Sequence, residues 1–421
     1  MTYRFVTNVD QKRFDAFCAQ CEWNHWSKSS QFIEFSKPEW KGELVGAEDE
    51  SGNLAATAVL LQKNLKFPPM HFSYCQYGFN LDINNRELLA FFIKALSDYA
   101  RKNGSCFLRV DPNITRLEHE KNGKVKEGGF NHEFVTEELK QAGYTHLGYN
   151  YGYSGNWMSR YTYILDLNRP LKEVRKGIKR CSQYHSKNVM RGVTVEKAGR
   201  EKLSVLYDAQ LELSARLGFK PKPLSYFEKM YDLYKPFVHY YVVSVNFHQA
   251  KLNLQKEIQN LQSHQAQCKD EKKIQLDQKQ IDAIHKEICQ IEDKGYDKDE
   301  KMYLGGKFII QEGANVWNVN MYTKKTLTNF REAFELHYFA IEDLMNNGAK
   351  TYNFEGISGS TDPHDYYYSL DTFKKEFGGD FIEYLGEFDA VYKPSLYSLW
   401  RHTSRFYSLA RRKIRSIIYR R

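Results

Sequence analysis

The 421-residue chain lacks any apolar run near the roughly 18 residues that a membrane-spanning helix needs. Its N-terminus, MTYRFVTNVDQKRFDAF, lacks the charged-then-apolar layout of a secretory signal. Cysteine is sparse and odd in number, seven residues scattered along the chain, so reduced thiols in a cytoplasmic protein are expected. Cys18 and Cys21 form a lone C-x-x-C with no second pair and no nearby histidine. With Phe14 and Phe17 they fit the inner face of a helix, and no metal site is expected. There is no G-x-x-x-x-G-K-[ST] phosphate loop, no H-E-x-x-H zinc motif and no G-x-S-x-G nucleophile elbow. Acidic residues are absent from the last 21 positions, where eight Lys/Arg lie between Arg401 and Arg421. The rest of the chain carries 53 basic and 52 acidic residues, so the net charge of +9 belongs to the tail. A protein gripping long duplex DNA would spread that charge over its folded surface.

What is present is a globular composition, 42% apolar and 15% aromatic, with 30 Tyr and 27 Phe that suit a thick core. The length suggests two domains or three. LVGAEDESGNLAATAVLLQKNL predicts a hairpin turning at Ser51–Gly52–Asn53. RELLAFFIKALSDYARKNG predicts an amphipathic helix closed by Gly104, and SCFLRVDPN a buried strand after it. A second series begins with RYTYILDL, a basic helix LKEVRKGIKRCSQYHSKNVMRG, and the strands VTVEKA and HYYVVSVN. MYLGGKFII, ANVWNVNMYT, NFREAFELHYFAIEDLMNNGA and KTYNFEGI then repeat the order strand, strand, helix, strand. Two tandem α/β domains follow, one over 1–155, the other over 156–246 and 302–394.

Residues 247–301 break the pattern. They contain no proline, and their first glycine is Gly295. Phe247, Leu254, Ile258, Leu261 and Cys268, then Ile274, Ile281, Ile284, Ile288 and Ile291, recur at three- and four-residue spacing. This predicts two helices of about 20 residues folded into an antiparallel coiled-coil arm, reaching roughly 30 Å. Ten Lys against eleven Asp/Glu leave the arm near neutral, which favours a packing arm over an RNA contact. The tail, 395–421, interleaves its basic residues with Trp400, Phe406, Leu409, Ile414, Ile417 and Ile418. It reads either as a helix on an anionic membrane surface or as a solvated terminal helix.

Chemistry-bearing residues are densest between Tyr352 and Pro394. FEGISGS reads as a strand entering a Gly/Ser turn whose N–H groups could bind an anion. FKKEFGG sets Lys374 and Lys375 before a Gly-Gly break, and EYLGEFD places Glu383, Glu387 and Asp389 on a strand-like stretch. Acetyltransferase-type folds hold the pyrophosphate of coenzyme A on a Gly-rich turn at a helix N-terminus. The nearest match, RKNGSC at 101–106, ends a helix instead, so coenzyme A use is not expected.

Together these segments resemble the FemABX family of peptidyltransferases, which includes MurM-like enzymes. The resemblance runs over nearly the whole chain. It rests on LRVDP at 108–112, YTYILDL at 161–167, RGVTVE at 191–196, the inserted arm, and NFEGISGS followed by FKKEFGG and EYLGEFD. It implies a pair of acetyltransferase-like (GNAT-type) domains with a helical arm. It also implies an activity: an amino acid leaves its tRNA ester and joins the stem-peptide amine of a lipid-linked or nucleotide-linked muropeptide precursor. Aminoacyl-tRNA is then a co-substrate, no cofactor is needed, and the enzyme is cytoplasmic, peripheral at the inner face of the plasma membrane. By the same resemblance Lys374 is the electrostatic stabiliser or proton donor, with Phe373 before it, while Asp111 and Glu387 stand on the amine side. Lys37 matches a lysine that contacts precursor phosphate, and Arg180 stands near the position of a family arginine. Tyr77 and Gly78 replace the usual Arg-Gly, a departure that bears on the precursor pocket. Two other readings stand beside this one: aminoacyl transfer to a phospholipid headgroup or a protein N-terminus, and a non-catalytic membrane-associated scaffold.

Overall fold

The computed structural model describes residues 2–121, 123–152, 157–325, 327 and 330–403. Its strands are β1 (Arg4–Thr7), β2 (Lys41–Glu48), β3 (Leu54–Lys66), β4 (Pro69–Cys75), β5 (Phe79–Leu81), β6 (Phe107–Val110), β7 (Tyr144–His146) and β8 (Tyr161–Asp166). They continue as β9 (Val193–Lys197), β10 (Val238–Asn246), β11 (Lys301–Glu312), β12 (Asn315–Thr323), β13 (Thr351–Asn353), β14 (Asp380–Glu383) and β15 (Phe388–Val391). The first sheet runs β1-β2-β3-β4-β6-β15-β7, with β5 against β3, and the second runs β14-β8-β13-β12-β11-β10-β9.

The two sheets repeat one path. The predicted hairpin forms β2 and β3, its turn held by the Asp49 carboxylate, which accepts from the N–H groups of Ser51 and Asn53 at 2.9 Å. An antiparallel meander leads to β4, the helix Arg86–Lys102 crosses over, and β6 returns parallel to β4. In the second sheet β10, β11 and β12 form the meander, the helix Glu332–Asn346 crosses over, and β13 returns parallel to β12. Each crossover helix buries one apolar stripe: Leu88, Leu89, Phe92, Ile93 and Leu96 in the first, Phe334, Leu336, Ala340, Ile341 and Leu344 in the second. A further core joins the units, with Val59, Leu61 and Tyr74 from the first sheet meeting Val242, Phe308 and Trp317 from the second.

The structure departs from expectation in three places. The segment 302–394, assigned to the second unit, ends in β15, which pairs with β6 and β7 of the first sheet. Phe388 and Ala390 bury themselves in the first core, a choice of partner that alternation alone does not encode. The basic helix is two helices, Leu171–Gly177 and Lys179–Met190, broken at Ile178. Glycine is a poor helix former, and the break after Gly177 turns Ile178 into the core. Trp400, expected on a membrane-surface or solvated terminal helix, instead packs against Phe107 at 4.6 Å between ring centroids and neighbours Phe72 and Trp157. The basic, apolar-studded remainder of the tail, 404–421, lies outside the described residues.

The insertion is a helical hairpin, Phe247–Gln267 and Glu271–Asp293, seated between β10 and β11. Those strands pair directly up to Asn246 opposite Lys301, so the insertion occupies a hairpin turn. Leu254 and Ile258 on one helix and Ile281, Ile284, Ile288 and Ile291 on the other are buried. The Lys251–Glu292 ion pair and the hydrogen bond between His264 Nδ1 and Asp277, both 2.6 Å, link the two helices. Arg191 ties the hairpin to the body through buried Glu287 at 2.6 Å.

Candidate active site

The site lies where the two sheets exchange strands. Only Tyr384–Glu387 separate β14, in the second sheet, from β15, in the first. EYLGEFD is therefore a crossing and not the single strand its sequence suggests. Glu387, at the end of the crossing, accepts hydrogen bonds from the backbone N–H groups of Trp157 and Met158. Its Oε2 lies 3.4 Å from Nη1 of Arg109. Burial pushes the Glu387 carboxyl up, and the Arg109 charge opposes that rise.

Asp111 follows β6 directly. Its carboxylate accepts from the phenol of Tyr74 and from the N–H of Tyr77, each at 2.6 Å. Burial raises its pKa well above the usual carboxylate range, and the neighbouring Glu387 adds to the rise. The N–H bond holds Tyr77 at φ 57°, a left-handed conformation that costs a non-glycine residue about 1–3 kcal/mol. Gly78 continues the turn at φ 73°, and a Cβ there would meet the Pro112 Cα at 2.9 Å. Only glycine fits.

Tyr77, Asp111, Arg160, Tyr384, Gly386 and Glu387 line a cavity of about 10 Å³, room for a single water. Buried Arg160 pairs with Glu383, which also receives Arg116 at 2.9 Å and His119 at 2.7 Å. The Arg160 Nε, within the same guanidinium, has no hydrogen-bond partner among the described residues.

Lys374 lies in the last turn of the helix Tyr368–Lys375. Its ammonium donates to the carbonyls of Glu355 at 2.9 Å and Gly356 at 2.7 Å. Burial pushes its pKa down to about 8, with Glu355 and Asp371 opposing. Lys374 does not line the cavity. It reaches the cavity through Glu355, whose carboxylate meets the phenol of Tyr77 at 3.3 Å, and through Tyr77, whose N–H meets Asp111. The Gly/Ser turn after Glu355 is already filled. Asp371 takes the N–H groups of Ser358 and Gly359 at 3.0 and 3.1 Å and the Ser358 hydroxyl at 2.5 Å, which leaves no empty anion nest.

The structure thus brings Asp111, Glu387 and Tyr77 to one cavity, with Lys374 one residue removed. The other expected binding residues lie elsewhere. Phe373 packs on Phe334, Phe377 and His337 in the second core. Arg180 pairs with Glu376, one residue beyond the helix that carries Lys374, and donates to the Tyr184 hydroxyl at 3.2 Å. Lys37 caps the helix Ser30–Ser36, pairs with Glu34 at 2.5 Å, and faces a separate groove with Arg200, Lys229 and Asp232. Sequence reasoning missed Glu355 and Arg160. FEGISGS pointed to the right loop, but nothing in it signals that Glu355 turns left-handed at φ 60° towards Tyr77.

The FemAB family model matches residues 9–405. "Aminoacyltransferase FemA" of Staphylococcus epidermidis is 26% identical over 417 residues, covering 94% of this chain and 98% of that protein. "Lipid II:glycine glycyltransferase" of Staphylococcus aureus is 24% identical over 369 residues, covering 84% and 85%. The crystal structure of FemX shares the fold, with a TM-score of 0.73 at 22% identity over 95% of this chain and 99% of that one. On this match along nearly its whole length, the chain belongs to the FemAB family and is an acyltransferase.

Proposed function

We propose that this protein moves an aminoacyl group from aminoacyl-tRNA to the stem-peptide amine of a lipid-linked peptidoglycan precursor, building an interpeptide bridge. The end-to-end match to relatives named for aminoacyl and glycyl transfer carries this reading, and the name lipid II:glycine glycyltransferase favours a glycyl donor and a lipid-linked acceptor. The chemistry asks for a neutral amine, a stabilised carbonyl oxygen and a protonated leaving oxygen. Lys374, enclosed and still charged below about pH 8, suits stabilisation of the ester oxygen and protonation of the leaving ribose oxygen. Asp111 and Glu387 shape the wall on the amine side, each fixing a backbone loop at the cavity. No coenzyme A takes part in this scheme. The reaction takes place at the inner face of the plasma membrane, where the eight basic residues from Arg401 to Arg421 favour anionic lipid.

The test is a transfer assay with labelled aminoacyl-tRNAs, offering lipid-linked and nucleotide-linked precursors side by side. Label should move to the lipid-linked precursor and stop with Lys374→Ala. Label reaching neither precursor would sink the proposal.

A further inference from the structure

Among the described residues three that are not glycine have positive φ: Asn8, Tyr77 and Glu355. Asparagine tolerates that conformation, but Tyr and Glu adopt it only where their surroundings impose it. Tyr77 and Glu355 meet across the two units, the Tyr77 phenol donating to Glu355 Oε2 at 3.3 Å. The other carboxylate oxygen faces His25 Nε2, also at 3.3 Å. The Nδ1 of His25 accepts from the N–H of Ser27, so in the neutral ring the proton sits on Nε2 and points at Glu355. Burial lowers the pKa of His25 and keeps that ring neutral. Tyr384 is the further phenol nearby.

Both contacts to the carboxylate therefore come from neutral donors. Lys374, the neighbouring cation among the described residues, gives its ammonium protons to the backbone carbonyls of Glu355 and Gly356. Asp111 gives its two oxygens to the Tyr77 N–H and the Tyr74 phenol, Glu387 gives Oε1 to loop N–H groups and turns Oε2 towards the Arg109 guanidinium at 3.4 Å, and both residues are 5% exposed. The Glu355 side chain keeps 21% of its surface open. It is a carboxylate held in place, open on one side and, among the described residues, without a lysine or arginine on its oxygens.

We propose that Glu355 binds a primary ammonium of the substrate and takes a proton from it. The proposal rests on the transfer reading above. Of the three protons on an acceptor ammonium, one stays on the amide nitrogen. One goes to Glu355 and on to solvent, and one reaches the ribose oxygen through Lys374. The N–C bond forms as the ester C–O bond breaks. The same carboxylate chemistry would suit the α-ammonium of the donated residue, so the test separates the two sources.

Wild type and Glu355→Gln are titrated with two probe pairs. One is a nucleotide-linked stem pentapeptide with its side-chain amine free or acetylated. The other is a glycyl-adenosine amide with its α-amine free or acetylated. The glutamine keeps one acceptor oxygen, for Tyr77 or for His25, and matched thermal unfolding checks that the fold is kept. Wild type should prefer the free amine of one pair by about tenfold, as a charge-assisted hydrogen bond gives. Glu355→Gln should lose that preference and bind the acetylated partner unchanged. Which pair shows the effect names the ammonium. An equal preference in both proteins overturns the proposal, as does a Glu355→Gln enzyme that transfers label with unchanged kcat/KM. In that second case transfer itself still stands. Wild type that moves no label and binds neither pair overturns the transfer reading, and this proposal with it.

Discussion

Arg109 holds both oxygens of Asp389, at 2.8 and 2.7 Å, while its third nitrogen reaches to 3.4 Å from Glu387. The guanidinium also lies over the Trp157 ring at 4.3 Å, and Trp157 in turn donates its N–H to Glu387. One cation thus serves two buried carboxylates, one on the crossing between sheets and one on β15. Replacing it by Arg109→Met strands both charges. The expected loss is about 3–5 kcal/mol of folding stability, the cost of breaking a buried pair by removing one partner. Urea unfolding measures it. Arg109→Lys should recover only part, because a lysine cannot match the two-pronged contact with Asp389.

The depressed pKa of Lys374 fixes the sign of two pH effects. As a proton donor or ammonium stabiliser it works only when charged, so kcat/KM should fall as pH rises through about 8. Lys374→Ala should cost about 10²–10³ in kcat, the usual effect of removing a stabilising donor, and flatten that limb. Stability moves the other way. The folded pKa lies below the unfolded one, so between about pH 8 and 10.5 the unfolded chain binds more protons and stability rises with pH. Unfolding midpoints of wild type and Lys374→Met should therefore diverge as pH falls through that window, with wild type losing ground.

Much of this was legible in the sequence. The crossover helices, the meanders and the inserted helical pair announce themselves by periodicity and by glycine punctuation, signals local to each segment. What stayed hidden depends on contacts distant in sequence. Phe388–Val391 joins the first sheet because Phe388 and Ala390 find the first core, and no pattern within EYLGEFD says so. The resemblance places Asp111 and Glu387 on the amine side, but it does not tell that Asp111 is held by Tyr74 and Tyr77 and Glu387 Oε1 by the N–H groups of Trp157 and Met158, partners that only the folded chain supplies. Glu355 went unnamed because its role follows from a left-handed backbone, and sequence signals left-handed positions through glycine and asparagine.

Gly78→Ala tests how tightly the Tyr77 turn supports the site. An added Cβ meets the Pro112 backbone at 2.9 Å, and φ 73° is strained for alanine. Steric strain of about 1–3 kcal/mol is expected. The N–H bond from Tyr77 to Asp111 should lengthen or break with it, so activity should fall more than stability does. Parallel thermal unfolding and transfer rates decide. A variant that unfolds earlier and transfers normally would detach the turn from the chemistry.

The C-terminal segment allows fold and membrane contact to be separated. Packing extends at least to Trp400, which packs against Phe107, and Tyr397 donates to Asp389 at 2.5 Å. Deleting residues 404–421 keeps both contacts and removes seven of the eight basic residues of the tail. The shortened chain should therefore unfold near the wild-type temperature. If the tail brings the enzyme to anionic lipid, each basic residue near the surface adds about 1 kcal/mol of attraction. Sedimentation with phosphatidylglycerol vesicles should then fall by orders of magnitude, while neutral vesicles show no difference. Transfer to a lipid-linked acceptor in vesicles should drop with it, and transfer to the same acceptor in detergent should not. Truncations reaching into 394–403 should behave differently. Removing Tyr397 frees Asp389 on one side and loosens Arg109, and through it Glu387, so activity should fall in detergent as well.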